Sequence, residues 1–228
     1  MAYGTIGAKL NRLLGILALT GLMSLPGAAR AGSHEFVIAA LGDSLTHGHG
    51  LPPEQGFVPR LEAWLNAHAS LPVRVVNAGV SGDTTAGGLA RIDWTLTDEV
   101  DAVIVELGGN DLLRGIDPAT VRDNLDGILA RIDARGLPVL LCGLPAPLNY
   151  GPEYKAEFDA IFPELALQHG AYLYPNFLAA LAPDGDPAKA RAFMQADGIH
   201  PDAEGVKRIV EDIGPLVLEM IEEHAPES

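Results

Sequence analysis

Ser44 and His200 stand far apart in the chain, and each lies in a short motif whose residue types could do nucleophilic chemistry. A serine hydroxyl is a weak nucleophile until an imidazole takes its proton, and the imidazole needs an acceptor to hold its tautomer. Asp197-Gly198-Ile199-His200-Pro201 can supply base and orienting carboxylate from one loop, with Gly198 easing the bend and Pro201 stiffening its exit. Each motif also has a plainer reading. Ser44, in Gly42-Asp43-Ser44-Leu45, could simply cap a helix, and Asp197 could cap a turn beside an exposed His200. Two further loops offer charge stabilisation. Asn110, in Gly108-Gly109-Asn110-Asp111, could aim its amide at a developing oxyanion, and Gly82, in Ser81-Gly82-Asp83, lets a backbone N–H approach a ligand closely. Any one of the four could be a turn. Four of them, each after an apolar run or in a late loop, are hard to explain that way.

The elements that must position these residues are legible in the apolar pattern. Short unbroken runs at Phe36–Leu41, Val73–Val76, Val103–Leu107 and Val139–Cys142, with a weaker one at Ala171–Tyr174, read as strands buried on both faces. Between them, Phe57–Ala69 reads as a helix with Leu61, Trp64, Leu65 and His68 on one side. Pro118–Ala134 is a second, with Val121, Leu125, Ile128, Leu129 and Ile132 at helical spacing behind an Asp117-Pro118 start. Glu153–Gln168 and Ala203–Glu223 complete the set. Strands alternating with helices imply an α/β fold with a largely parallel sheet, whose ligands bind outside the carboxyl ends of the strands. The Ser44, Gly82 and Asn110 motifs all follow such ends.

Composition sets outer bounds. The 228 residues suffice for one domain with a substantial core. A formal net charge of −15 argues against nucleic acid as a partner. Lys9 and Arg12 precede the uncharged apolar run Leu13–Leu25, then Pro26-Gly27 and the small-residue pattern Ala29-Arg30-Ala31. That order is expected of a secretory signal over residues 1–31, followed by a single domain over 32–228. The run is shorter than the roughly 20 apolar residues a membrane span needs, so no stable membrane anchor is expected after cleavage. Loss of Lys9, Arg12 and Arg30 would take the charge to −18. Cys142, the sole cysteine, allows no intrachain disulfide and reads as a packed small hydrophobe.

The four blocks together resemble the SGNH (GDSL-type) hydrolases, in order and over nearly the whole expected mature chain, from Leu41 to Pro201. Asn77–Thr84, Val105–Gly115, Pro147–Gly151 and Phe193-Met194-Gln195 are most similar to a branch of bacterial periplasmic thioesterases, lysophospholipases and arylesterases. The resemblance implies a flavodoxin-like three-layer α/β/α sandwich with a five-stranded parallel sheet. It implies cleavage of a small-molecule carboxylic ester or thioester through an acyl-serine, with no metal and no organic cofactor. Ser44 would be nucleophile, His200 general base and then acid, and Asp197 the orienting carboxylate. The oxyanion hole would comprise the Ser44 and Gly82 N–H groups and the Asn110 side chain. Pro147, Asn149 and Tyr150 would contact substrate from a loop that carries two prolines, Pro145 and Pro147. An exported, periplasmic monomer is expected. Alternatives are a carbohydrate O-deacetylase using the same triad and a non-catalytic acyl- or lipid-binding protein. A zinc site at His47-x-His49 lacks an evident third ligand, and no GxGxxG or GxxxxGK[ST] follows any strand.

Overall fold

The computed structural model describes Met1 and residues 35–226 except Gly185; the expected signal segment, Met1 aside, lies outside the described residues. The elements are β1 (Phe36–Gly42), α1 (Ser44–His47), α2 (Phe57–His68), β2 (Val73–Gly79), α3 (Thr85–Thr95), β3 (Ala102–Glu106), α4 (Gly109–Arg114), α5 (Pro118–Asp133), β4 (Val139–Cys142), α6 (Pro152–His169), β5 (Tyr172–Tyr174), α7 (Pro187–Ala190) and α8 (Ala203–His224). The strands form one five-stranded sheet in the order β2-β1-β3-β4-β5, and every pairing is parallel. This is the flavodoxin-like order, in which the chain first winds one way from β1 and then crosses back to the other side.

Alternate residues of each central strand feed two cores, as the two-residue period of a strand requires. Phe36, Ile38, Ala40, Ile104 and Leu140 pack with α2 and α8, whose Leu61, Leu65, Ile209, Ile213 and Val217 meet them. Ala39, Leu41, Val103, Val105 and Leu141 face the opposite way, onto α3, α5 and α6. Three layers result. All five apolar residues expected on α5 are buried there.

The structure departs from the sequence pattern in three places. Only β1, β3 and β4 are buried along their whole length; β2 and β5 are the sheet edges and are partly exposed. His68 does not join the buried face of α2 but stacks on Trp64 outside it, ring centroids 3.9 Å apart. Helix α3 has no clear sequence signal, since Gly87 and Gly88 weaken helix propensity by about 1 kcal/mol each relative to Ala. Packing overrides that tendency. A Cβ on Gly88 would come within 2.3 Å of Leu107 Cδ1, so the glycine lets α3 lie close on the sheet. Thr84 caps the helix by accepting from Gly87 N.

Helices α5 and α6 are joined at their ends by His169. Its Nδ1 lies 2.5 Å from Asp133 Oδ2 and its Nε2 2.8 Å from Asp126 Oδ1. Only the imidazolium donates from both nitrogens. Burial lowers the imidazole pKa, but the two carboxylate bonds outweigh it, and the value stands above the ordinary 6.5. A group with a raised native pKa stabilises fully below its unfolded value and loses that contribution as pH rises through the native one. The difference in urea midpoint between the parent and His169→Gln is therefore expected to be largest below the ordinary imidazole value of 6.5 and to shrink as the solution is made alkaline.

Candidate active site

Parallel strands that end together bring their following loops together. Gly42 of β1 pairs in register with Gly79 of β2 and Glu106 of β3, so three loops leave the sheet at one level. Ser44 opens α1 two residues past Gly42. Gly82, at φ 85°, lies three residues past Gly79, and Asn110 four past Glu106. The fourth motif arrives from the segment before α8 and is shaped by its own first residue. Asp197 Oδ1 accepts from Ile199 N at 2.9 Å and His200 N at 3.0 Å, and Gly198 takes the left-handed conformation at φ 68°. That turn leaves Asp197 Oδ2 2.7 Å from His200 Nδ1. His200 Nε2 lies 2.8 Å from Ser44 Oγ. The serine, histidine and aspartate expected to act together thus form one unbroken chain of hydrogen bonds. The His200 ring, followed by the N–H groups of Ile199 and His200, holds the Asp197 carboxyl well below the usual carboxylate range. It stays ionised at neutral pH.

Beneath the serine lie two carboxyl groups. Asp43 caps α1 by accepting from Leu45 N at 3.0 Å, and its other oxygen accepts from the Asn110 amide at 2.9 Å. One amide proton of Asn110 is thereby held, which aims the second outward. Glu106 is wholly buried and accepts from the Thr46 hydroxyl at 2.8 Å, tying α1 down onto β3. Burial, and then the nearby Asp43, push the Glu106 carboxyl well above its ordinary 4.5. Burial also raises Asp43, against the opposing pull of its bonds to Leu45 N–H and Asn110. Two adjacent carboxylates cannot both ionise cheaply out of water. Both carboxyl groups are therefore pushed upward, Glu106 the further because it is the more deeply buried, and the Asp43 carboxyl is the one that holds the Asn110 amide.

Arginines fix the Gly82 loop. Arg91 of α3 donates to Gly42 O at 2.9 Å, to Ala78 O at 2.7 Å and to Asp83 Oδ2 at 2.7 Å, linking the ends of β1 and β2 to that loop. Arg114 donates to Gly82 O at 2.8 Å. Asp111, fully buried, accepts from Thr85 N and Thr85 Oγ1, so the Asn110 helix and the helix after Gly82 brace each other. No spacing or motif marked Arg91, because its helix was itself unreadable.

The site opens into a cavity of about 690 Å³. Ser44, Gly82, Asn110 and His200 line it, and so do Pro147, Asn149 and Tyr150, the three residues expected to contact substrate; Asp197 stands behind His200. Leu112, Leu113, Leu144, Leu178, Ala179 and Ala182 make its wall largely apolar. Among the described residues lining it, none is Lys or Arg. His49 also lines it, its ring centroid 4.6 Å from that of His200, whereas His47 meets Ser81 Oγ. Among the described residues, no three His, Cys, Asp or Glu side chains converge as a metal-binding group.

Residues 40–208 match the GDSL-like Lipase/Acylhydrolase family. The chain belongs to that family. It is an ester-hydrolysing enzyme of α/β architecture, as the resemblance of its four blocks implied. It is 39% identical over 210 residues to Esterase TesA of Pseudomonas aeruginosa, covering 92% of this chain and 98% of that protein. It is 38% identical over 165 residues to Thioesterase 1/protease 1/lysophospholipase L1 of Escherichia coli, covering 71% and 74%. A crystal structure of TesA superposes with a TM-score of 0.73 at 38% identity, covering 81% of this chain and 99% of that one.

Removing the three-way arginine clamp tests how far this acylhydrolase site depends on it. Arg91→Met is expected to lower the unfolding free energy by roughly 2–3 kcal/mol, the scale of hydrogen bonds to a charged group. It should also reduce kcat/KM, although Arg91 does not line the cavity; urea denaturation and steady-state kinetics on one ester measure both.

Proposed function

We propose that Ser44, His200 and Asp197 carry out acyl transfer from carboxylic esters or thioesters to water through an acyl-serine. The observation that carries this reading is the pair of bonds at 2.8 and 2.7 Å that joins hydroxyl, imidazole and carboxylate. Ser44 Oγ attacks the carbonyl carbon while its proton passes to His200 Nε2. Charge then develops on the carbonyl oxygen, met by the N–H groups of Ser44 and Gly82 and the outward amide proton of Asn110. Collapse of the tetrahedral intermediate breaks the bond to the alkoxide or thiolate, which leaves with the proton from Nε2. Water repeats the sequence on the acyl-serine, giving the free acid and restoring the serine.

The apolar wall supports an acyl chain as the buried part of the substrate. A sugar held for O-deacetylation would want more polar partners than Asn149, Asn176 and Tyr150 provide. Ser44→Ala is expected to abolish hydrolysis of a p-nitrophenyl acyl ester while substrate binding persists; turnover at the parent rate would refute the assignment. Asn110→Ala is expected to lower kcat by about 10²–10³, the usual cost of one oxyanion donor.

Export is part of the same proposal, supported by the charged, apolar and small-residue order of residues 9–31. No helix among the described residues is long and apolar enough to cross a membrane. Expressed in a two-membrane bacterium, the protein is expected in the periplasmic fraction with a new N-terminus near Gly32, read by N-terminal sequencing. A full-length chain retained in the cytoplasm would contradict it.

A further inference from the structure

His200 is not carried on the sheet. It lies in a loop outside any strand or helix, and the flanking Asp197, Gly198 and Ile199 are exposed. In the proposed mechanism a hydrogen bond to Ser44 Oγ cannot by itself set the separation of the two groups, because it is given up when Nε2 turns to the leaving group. Something else must hold the imidazole loop against the nucleophile.

Gln195 makes that connection. Its side-chain Nε2 donates to His49 O at 2.8 Å and to Pro201 O at 2.9 Å, so both amide protons are used. Its backbone N–H donates to His200 O at 2.7 Å, and its own carbonyl accepts from Gly198 N at 3.0 Å. The residue therefore grips the Asp197–Pro201 turn from inside. The far end of the grip reaches the nucleophile, because His49 N donates to Ser44 O at 3.0 Å. A continuous path runs from Ser44 O through the His49 peptide to the Gln195 amide and on to the peptides of His200 and Pro201. None of its links uses a catalytic proton.

The packing is specific to this side chain. Gly50 sits at φ 75°, and a Cβ there would fall 2.2 Å from Gln195 Oε1, so the amide lies directly against the glycine. The same amide holds the His49 backbone carbonyl, and the His49 ring lies beside that of His200. Gln195 does not line the cavity. We propose that Gln195 is a positioning residue, an amide strap that sets the distance between Ser44 and His200 from outside the substrate site. This rests on the triad assignment above.

Gln195→Met keeps the volume and removes both donors. It is expected to lower kcat by roughly 10- to 100-fold, the scale of a misplacement near 1 Å. KM and the thermal midpoint should stay close to the parent's. Gly50→Ala, which displaces the amide without removing it, is expected to lower kcat as well. The double variant should lose no more than the worse single one, since both break the same strap. A kcat within twofold of the parent for Gln195→Met overturns the proposal. So does a loss lying wholly in KM or matching a drop in folded fraction, and so does full additivity of the two substitutions. Ser44→Ala assayed alongside separates the failures: turnover there sinks the triad itself, while an inactive Ser44→Ala beside a fully active Gln195→Met sinks only the strap.

Discussion

The register of three parallel strands is the constraint on which the rest depends. Gly42, Gly79 and Glu106 are neighbours across the sheet, so the chain leaves β1, β2 and β3 at one height within three adjacent rungs. Neighbouring strands lie about 4.8 Å apart, which brings short loops from adjacent strand ends within reach of one carbonyl group. Glycine at two of those ends is sterically required. A Cβ on Gly42 would fall 2.0 Å from Thr46 Oγ1, and one on Gly79 would fall 2.4 Å from His47 N. Helix α1 folds back tightly over both strand ends, and that fold is what presents Ser44 to the cavity.

Such closeness forces acidic groups out of water. Asp43 and Glu106 are both buried beneath the serine, and each is tied to a part of the machinery: Asp43 to Asn110, Glu106 to Thr46. Burial and mutual repulsion push both carboxyl groups upward, Glu106 the further. The Asp43 carboxyl acts at short range on the Asn110 amide, where orientation matters more than net attraction. A neutral residue at position 43 could cap α1 equally well, since Asn and Ser are good caps. It would hold the Asn110 amide by a weaker, uncharged bond.

The strands, the long helices α5 and α8 and the four site motifs were legible because each is written locally. Buried strands read as continuous apolar runs, α5 repeats its apolar residues at helical spacing, and the Asp197–His200 turn is built by hydrogen bonds spanning two and three residues. Helix α3 was illegible because its reason is tertiary: Gly88 is there for Leu107 and Arg91 for the ends of two strands. The same holds for Gln195. It was visible as part of the Phe193-Met194-Gln195 resemblance, but its partners, His49 O and Pro201 O, are backbone carbonyls that carry no residue signature. Side chains whose work is to bind main chain leave no pairing in the sequence to be found.

That distinction separates two kinds of catalytic geometry in one site. The proposed nucleophile and oxyanion donors, Ser44, Gly82 and Asn110, follow strand ends whose hydrogen-bonded registry resists displacement as a unit. The proposed general base, His200, has no such inheritance; beside it Met194 and Pro201 form only an isolated antiparallel bridge. Its loop is held instead by the side-chain bonds of Gln195 and Asp197 and by backbone bonds within the turn, and the proposed mechanism asks its imidazole to serve first the serine hydroxyl and then a leaving group. A base mounted on a strand would hold the first position well and reach the second poorly. With Asp197 and His200 on one turn, the carboxylate–imidazole bond is local to that turn and does not depend on which partner the outer nitrogen has.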